Sequence, residues 1–135
     1  MKYTLNAIFY RCWCSLVATA VVSVALVGCG GSAGSIPVNQ SAAREACQAF
    51  LEAWKGGKTT EELKPKISGA DYVWASGQKL VSFEILPEEI NNGTSLRVST
   101  LLVLKDSKGR ESKSNVSYTV GTSPVITVIR DEPDR

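Results

Sequence analysis

Asp71-Tyr72-Val73-Trp74-Ala75-Ser76-Gly77 is the densest gathering of polar and aromatic groups in the chain. A carboxylate flanked by two aromatic rings offers a proton-transfer group and an apolar wall, the ingredients of general acid–base work or of a ligand pocket. Nothing in the sequence pairs with Asp71 for catalysis. Histidine is absent altogether, which removes the usual general base, the commonest activator of a nucleophile and the commonest transition-metal ligand. Glu61-Glu62 and Glu88-Glu89 are adjacent rather than facing pairs, so they read as solvated surface and not as a calcium site. Cys12-Trp13-Cys14 lacks the second intervening residue of redox pairs and zinc knuckles. No catalytic residue, metal or cofactor is therefore expected. The structural reading of the same stretch makes Trp74 a plug for the open end of the core, Asp71 the cap of a turn, and Gly77 the bend into the first strand.

Further toward the start, Lys2 and Arg11 lead into an uncharged run from Leu16 to Ala25, of signal-peptide length. The run closes on Leu26-Val27-Gly28-Cys29, a small residue followed by cysteine. This arrangement resembles a bacterial lipoprotein precursor. The resemblance implies cleavage after Gly28, a diacylglycerol on the Cys29 sulfur and an acylated (palmitate-type) amino group. It also implies a lipid-anchored protein of the cell envelope facing outside the cytoplasm, on the periplasmic side. Gly30 rather than aspartate after the cysteine implies, in the same families, cargo not retained at the inner membrane. An uncleaved membrane anchor is the competing reading, but crossing hydrocarbon takes roughly 20 apolar residues and this run is shorter. Extending it back through Ile8-Phe9-Tyr10 would bury Arg11, at roughly 2.5–3.5 kcal/mol on insertion scales.

The expected organisation is thus a signal peptide at 1–28, a lipidated cysteine and flexible tether at 29–40, and one domain at 41–131. Cleavage leaves 107 of the 135 residues, enough for one hydrophobic core. With Lys2 and Arg11 gone, 13 basic residues balance 13 acidic ones. A neutral domain without a basic block has no footprint for a phosphate backbone, so nucleic acid is not an expected partner. Cys47 remains the single ordinary thiol, which excludes an internal disulfide. The small residues of Gly30-Gly31-Ser32-Ala33-Gly34-Ser35 form a tether that holds the domain roughly 15–20 Å from the lipid surface.

The clearest element is a helix from about 41 to 55, capped by Asn39 or Ser41. Ala43, Ala46, Cys47, Phe50, Leu51 and Trp54 make one apolar stripe on it, and Gly56-Gly57 close it. Cys47 lies mid-stripe and reads as a small buried hydrophobe. Thr59-Thr60-Glu61-Glu62 carries a capping box, and Pro65 limits the helix that follows to a short turn or two. That segment is expected to pack Leu63 and Ile67 on the first helix before turning at Ser68-Gly69. From residue 78 the period becomes two. Run one places Val81, Phe83 and Ile85 on one face, and run two alternates Leu96, Val98, Thr100, Leu102 and Leu104 with Arg97, Ser99, Leu101 and Val103. Run three faces Val116, Tyr118 and Val120 inward with Ser112, Ser114 and Ser117 outward. Run four, 125–129, is apolar on both faces until Arg130, as in a central or helix-covered strand. Asn91-Asn92-Gly93 and Asp106-Ser107-Lys108-Gly109 read as the turns. The sequons at Asn92 and Asn115 carry little weight.

An N-terminal amphipathic helix on a curved antiparallel sheet of about four strands in meander order is an α+β arrangement. It resembles the nuclear-transport-factor-two-like superfamily and is similar to the cystatin fold. The Asp-x-x-Trp-x-x-Gly stretch at 71–77 also resembles small uncharacterised bacterial lipoproteins that end in a strand with Arg130 followed by acidic residues. The first resemblance implies, through its polyketide-cyclase-like members, an Asp71 acting as general acid or base with Tyr72 or Arg97 polarising a carbonyl. The expected role is non-catalytic: a binding or assembly domain for a protein partner. The alternative is a pocket for a small apolar ligand lined by Trp54, Asp71, Tyr72 and Trp74.

Overall fold

The computed structural model describes residues 35–132. The expected leader, its expected cleavage point at Gly28, Cys29 and the first residues of the expected tether lie outside them. Contacts of the domain begin at Val38, within the stretch assigned to the tether. Its side chain is buried, its N–H donates to Gly93 O at 2.8 Å, and the Asn39 N–H reaches Thr122 Oγ1 at 3.1 Å.

Helix α1 spans Gln40–Lys55, beginning well inside the chain rather than at its N-terminus. Asn39 is its cap, with Oδ1 accepting the Ala42 N–H at 3.0 Å, while Ser41 donates instead to Glu45. The whole apolar stripe is buried. After the helix, Glu62 Oε2 accepts the Thr59 N–H at 2.6 Å and its hydroxyl at 3.0 Å, fixing a 3₁₀ turn over Thr60–Leu63. The Thr59 N–H and hydroxyl hold the Glu62 carboxyl below its ordinary range.

The expected short turn ends at Leu63, with Leu63 and Ile67 packed on the core. Pro65 biases the residue before it to extended backbone, and Lys64 sits at ψ 147°. The chain then enters strand β1, Ile67–Ala70, in place of a turn at Ser68-Gly69. A single helical turn, α2 (Tyr72–Ala75), follows, and Gly77 at φ 86° re-aims the chain into β2. Strands β2 (Lys79–Asn91), β3 (Ser95–Lys105), β4 (Glu111–Gly121) and β5 (Ile126–Arg130) form an antiparallel meander joined by the expected turns.

The sheet has five strands, in the order β1-β5-β4-β3-β2, and it is mixed, with β1 parallel to β5 from Ile67↔Ile126 to Ala70↔Ile129. This corrects the four-stranded antiparallel expectation. A four-residue strand with a central glycine carries too little period-two signal to be read, and its partner lies far along the chain. The same pairing makes β5 an interior strand, as its apolar character implied.

Two local rules shift faces. Strand β2 slips register between Leu80 and Ser82 and again between Ile85 and Glu89. The first bulge removes Val81 from the inward set, so Leu80, Phe83 and Ile85 pair with Leu104, Leu102 and Thr100 beneath the helix. In β4, Ser112 and Ser114 share the parity of Val116 and Tyr118, so only Ser117 stands on the opposite face. The two former serines are accessible because they lie toward the end of the sheet.

Gly69 is required by packing. A Cβ there would come within 2.0 Å of Phe50 Cε2, so the β1 backbone lies directly on that ring. Phe50 in turn meets Trp74 edge-on at 5.0 Å and Tyr118 at 6.0 Å between centroids. Arg44 on α1 clamps Glu89 on β2 at 2.7 Å, so Glu89 is not the solvated residue expected of the Glu88-Glu89 pair.

Candidate functional site

The Asp71 carboxylate is fully enclosed. Its Oδ1 accepts the N–H groups of Val73 and Trp74 at 2.8 and 3.0 Å, capping α2. Its Oδ2 accepts the Tyr118 hydroxyl at 2.6 Å, and Arg130 Nη1 lies 3.3 Å from Oδ2 and 3.4 Å from Oδ1. The side chains of Arg130 and Asp71 are 5% and 0% exposed, so this is a buried ion pair. Burial and then the facing Asp71 carboxylate push the Tyr118 phenol well above its ordinary value, keeping it a donor.

Tyr72 closes the group from outside. Its ring lies over the Arg130 guanidinium, 5.0 Å from centroid to Cζ, while the residue remains 56% exposed. Arg130 spends only Nη1 on Asp71, and its buried Nε has no partner.

The four residues nominated as a ligand site are neighbours with different duties. Trp54 is core: it stacks on Trp74 at 5.5 Å and 6°, and its Nε1 donates to Gln78 O at 2.9 Å. Trp74 is half-buried against it, Asp71 is a cap and ion-pair partner, and Tyr72 alone presents a largely open ring. Trp54 therefore lies apart from the other three, while Asp71, Tyr72 and Trp74 line one cleft. Arg97, nominated to polarise a carbonyl, lies on the sheet face away from α1. Its Nε is held by Asp131 Oδ2 at 2.7 Å, and Asp131 also accepts the Thr119 hydroxyl at 2.7 Å.

Two clefts meet at Tyr72. The larger, about 610 Å³, is bordered by Tyr72, Arg130, Asp131 and Glu132 and by Ser114–Ser117 of β4, with Arg97, Ser99 and Glu88 also lining it. The smaller, about 540 Å³, lies on Trp74 and Tyr72 beside Gly69 and Thr59. Among the described residues no cluster of three or more His, Cys, Asp or Glu side chains gathers to hold a metal ion.

Tyr118 and Arg130, the two residues that hold Asp71, were not nominated from sequence as its partners. A signal was present for each. A tyrosine at an inward position must satisfy its hydroxyl when buried, and Arg130 continues the parity of Ile126 and Val128, which face α1.

No protein-family model, curated protein or solved structure matches the chain.

Proposed function

We propose that this chain is a lipid-anchored protein of the cell envelope whose α+β domain is a non-catalytic binding module for a protein partner. The anchor rests on the Leu26-Val27-Gly28-Cys29 sequence and the small-residue tether after it. The non-catalytic role rests on one observation: the acid best suited to proton transfer, Asp71, has both oxygens taken by two backbone amides, a phenol and a guanidinium. Such a carboxylate holds α2 to the sheet and has no lone pair turned toward a substrate. Binding is favoured by the polar cleft beside it, where an exposed tyrosine adjoins hydroxyl, amide and carboxylate groups. The alternative, a small apolar ligand on the Trp74 cleft, draws on the apolar character of Trp74 and Ala70 there.

The anchor is tested by labelling cells with palmitate and weighing the intact protein, wild type against Cys29→Ser. A shortened, lipid-bearing chain seen only with Cys29 supports the reading, and an unlabelled full-length chain rejects it. Crosslinking and pull-down from native membranes test the module. One partner recovered only with the lipidated form is the expected result.

A further inference from the structure

Three strand edges of the sheet face outward, and two are protected. Strand β2 carries Pro87 and two register slips, and β1 is four residues long and packs against the 3₁₀ turn. The third is unlike them. Strand β4 pairs with β3 along its entire length, from Ser95↔Gly121 to Lys105↔Glu111, whereas β5 covers it only from Tyr118 to Gly121. A last link, Asp131 N–H to Ser117 O at 2.9 Å, ends that cover.

The direction of the remaining backbone groups follows from alternation. The Ser117 carbonyl points to the β5 side, while the Val116 carbonyl points to β3, where the Thr100 hydroxyl also reaches it at 3.2 Å. Asn115, Lys113 and Glu111 therefore direct their N–H and C=O groups outward from an edge that no strand covers among the described residues. This stretch holds no proline or bulge, and the charges of Glu111 and Lys113 cancel.

The larger cleft straddles this edge. Residues 114–117 of the uncovered stretch line it, together with Tyr72 and Glu132. Its charge is also specific. Arg97 is committed to Asp131 and Arg130 to Asp71, while Glu88 and Glu132 are exposed and form no ion pair among the described residues.

We propose that the open edge of β4, residues 111–117, accepts an extended segment of another protein as an added strand, with a lysine or arginine of that segment lying in the cleft against Glu88 and Glu132. Main-chain hydrogen bonds supply the register, and the Glu88 and Glu132 carboxylates that line the cleft select the cation. The inference rests on the proposed function only in taking the domain as a binding module.

The test uses the full chain purified in detergent and two capped nine-residue peptides of alternating threonine and glutamine, one with a central lysine and one with glutamate there. Fluorescence anisotropy is expected to give about tenfold tighter binding of the lysine peptide. Glu88→Gln with Glu132→Gln is expected to erase that preference. Hydrogen exchange is expected to slow at the Lys113 and Asn115 amides when peptide is bound, and Asn115→Pro, which removes one ladder donor, to abolish binding of both peptides. Because the proline variant can disturb the strand, the two glutamine substitutions and the exchange data decide the matter. Equal binding of the two peptides, unchanged exchange at residues 113 and 115, or a dimeric mass by light scattering with those amides protected in the absence of peptide each overturn the proposal. The intact mass of the same preparation reports the lipid anchor independently, so either idea can fail while the other stands.

Discussion

The Tyr118 hydroxyl donates to Asp71 Oδ2 at 2.6 Å across 47 residues of sequence, pinning the cap of α2 to an interior strand of the sheet. Replacing Tyr118 by Phe keeps the ring against Phe50 and removes one donor from a buried carboxylate. A hydrogen bond to a charged group contributes roughly 1.5–3 kcal/mol, so Tyr118→Phe is expected to lower the melting temperature by on the order of 10 °C. Calorimetry checks it, and an unchanged Tm would show that the bond is energetically idle. The pH dependence has a definite sign. The folded phenol titrates above its unfolded value, so its contribution is complete below about pH 10 and is lost as pH rises further. Part of the alkaline destabilisation of the wild type should disappear in the Phe variant.

The pair of Arg130 with Asp71 behaves asymmetrically. Asp71→Asn leaves a guanidinium enclosed with no counter-charge, at a cost of roughly 3–5 kcal/mol. Arg130→Met leaves Asp71 with three donors, the Val73 and Trp74 amides and the Tyr118 hydroxyl, and should cost less. In the double variant both charges are gone, and urea unfolding is expected to show a coupling energy above about 1 kcal/mol. Strict additivity of the two single substitutions would mean that the ion pair has no energetic existence.

Gly69→Ala tests the contact between β1 and α1. The new methyl would lie 2.0 Å from Cε2 and 2.7 Å from Cδ2 of Phe50, a ring that is itself wedged between Trp74 and Tyr118. With no direction in which the ring can yield, the expected cost is about 3 kcal/mol, the upper part of the overpacking range. Phe50→Leu in the same chain should recover a portion of it. A Gly69→Ala variant as stable as the wild type would remove β1 from the packed layer.

How far these features could be read from the chain depends on the range of the physics behind each. Helix α1 and the Thr59–Glu62 box arise within a few residues, and the sequence pattern states them directly, whereas the choice of Asn39 over Ser41 as cap rests on the geometry of one hydrogen bond. One phase error arose where a backbone event resets a period, at the Val81 bulge, which looks regular until a partner strand is laid beside it, whereas the misplaced Ser112 and Ser114 follow from strand parity alone, since β4 pairs without a bulge. Pairing of β1 with β5 was out of reach because Gly69 is chosen by Phe50 rather than by strand propensity. The candidate site divides in the same way. The cap role of Asp71 is local and was legible, whereas its bonds to Tyr118 and Arg130 depend on three strands meeting. The cleft beside them exists because β5 stops before β4 does, a fact about relative strand ends that no single segment carries.

Cys47 offers a final test of how firmly α1 is seated. Its side chain is fully buried in the stripe, and burial first, then the nearby Glu89 charge, push its thiol from 9.0 to about 12. Because a thiolate is the reactive form, the native protein at pH 8 should resist iodoacetamide, with labelling limited by the rate of opening of the domain. Denaturation in urea should release it at once. The raised value also means that the buried thiol's contribution to stability is complete below pH 9 and falls as pH rises through about 12. The loss at the upper end is on the order of 4 kcal/mol. Cys47→Ala removes that alkaline slope while leaving a small cavity beneath the sheet, so the variant is expected to be less stable than the wild type at neutral pH and relatively less so near pH 11. Rapid modification of Cys47 in the native protein would contradict the burial of the whole α1 stripe, since its neighbours Ala43, Phe50 and Leu51 share the same face.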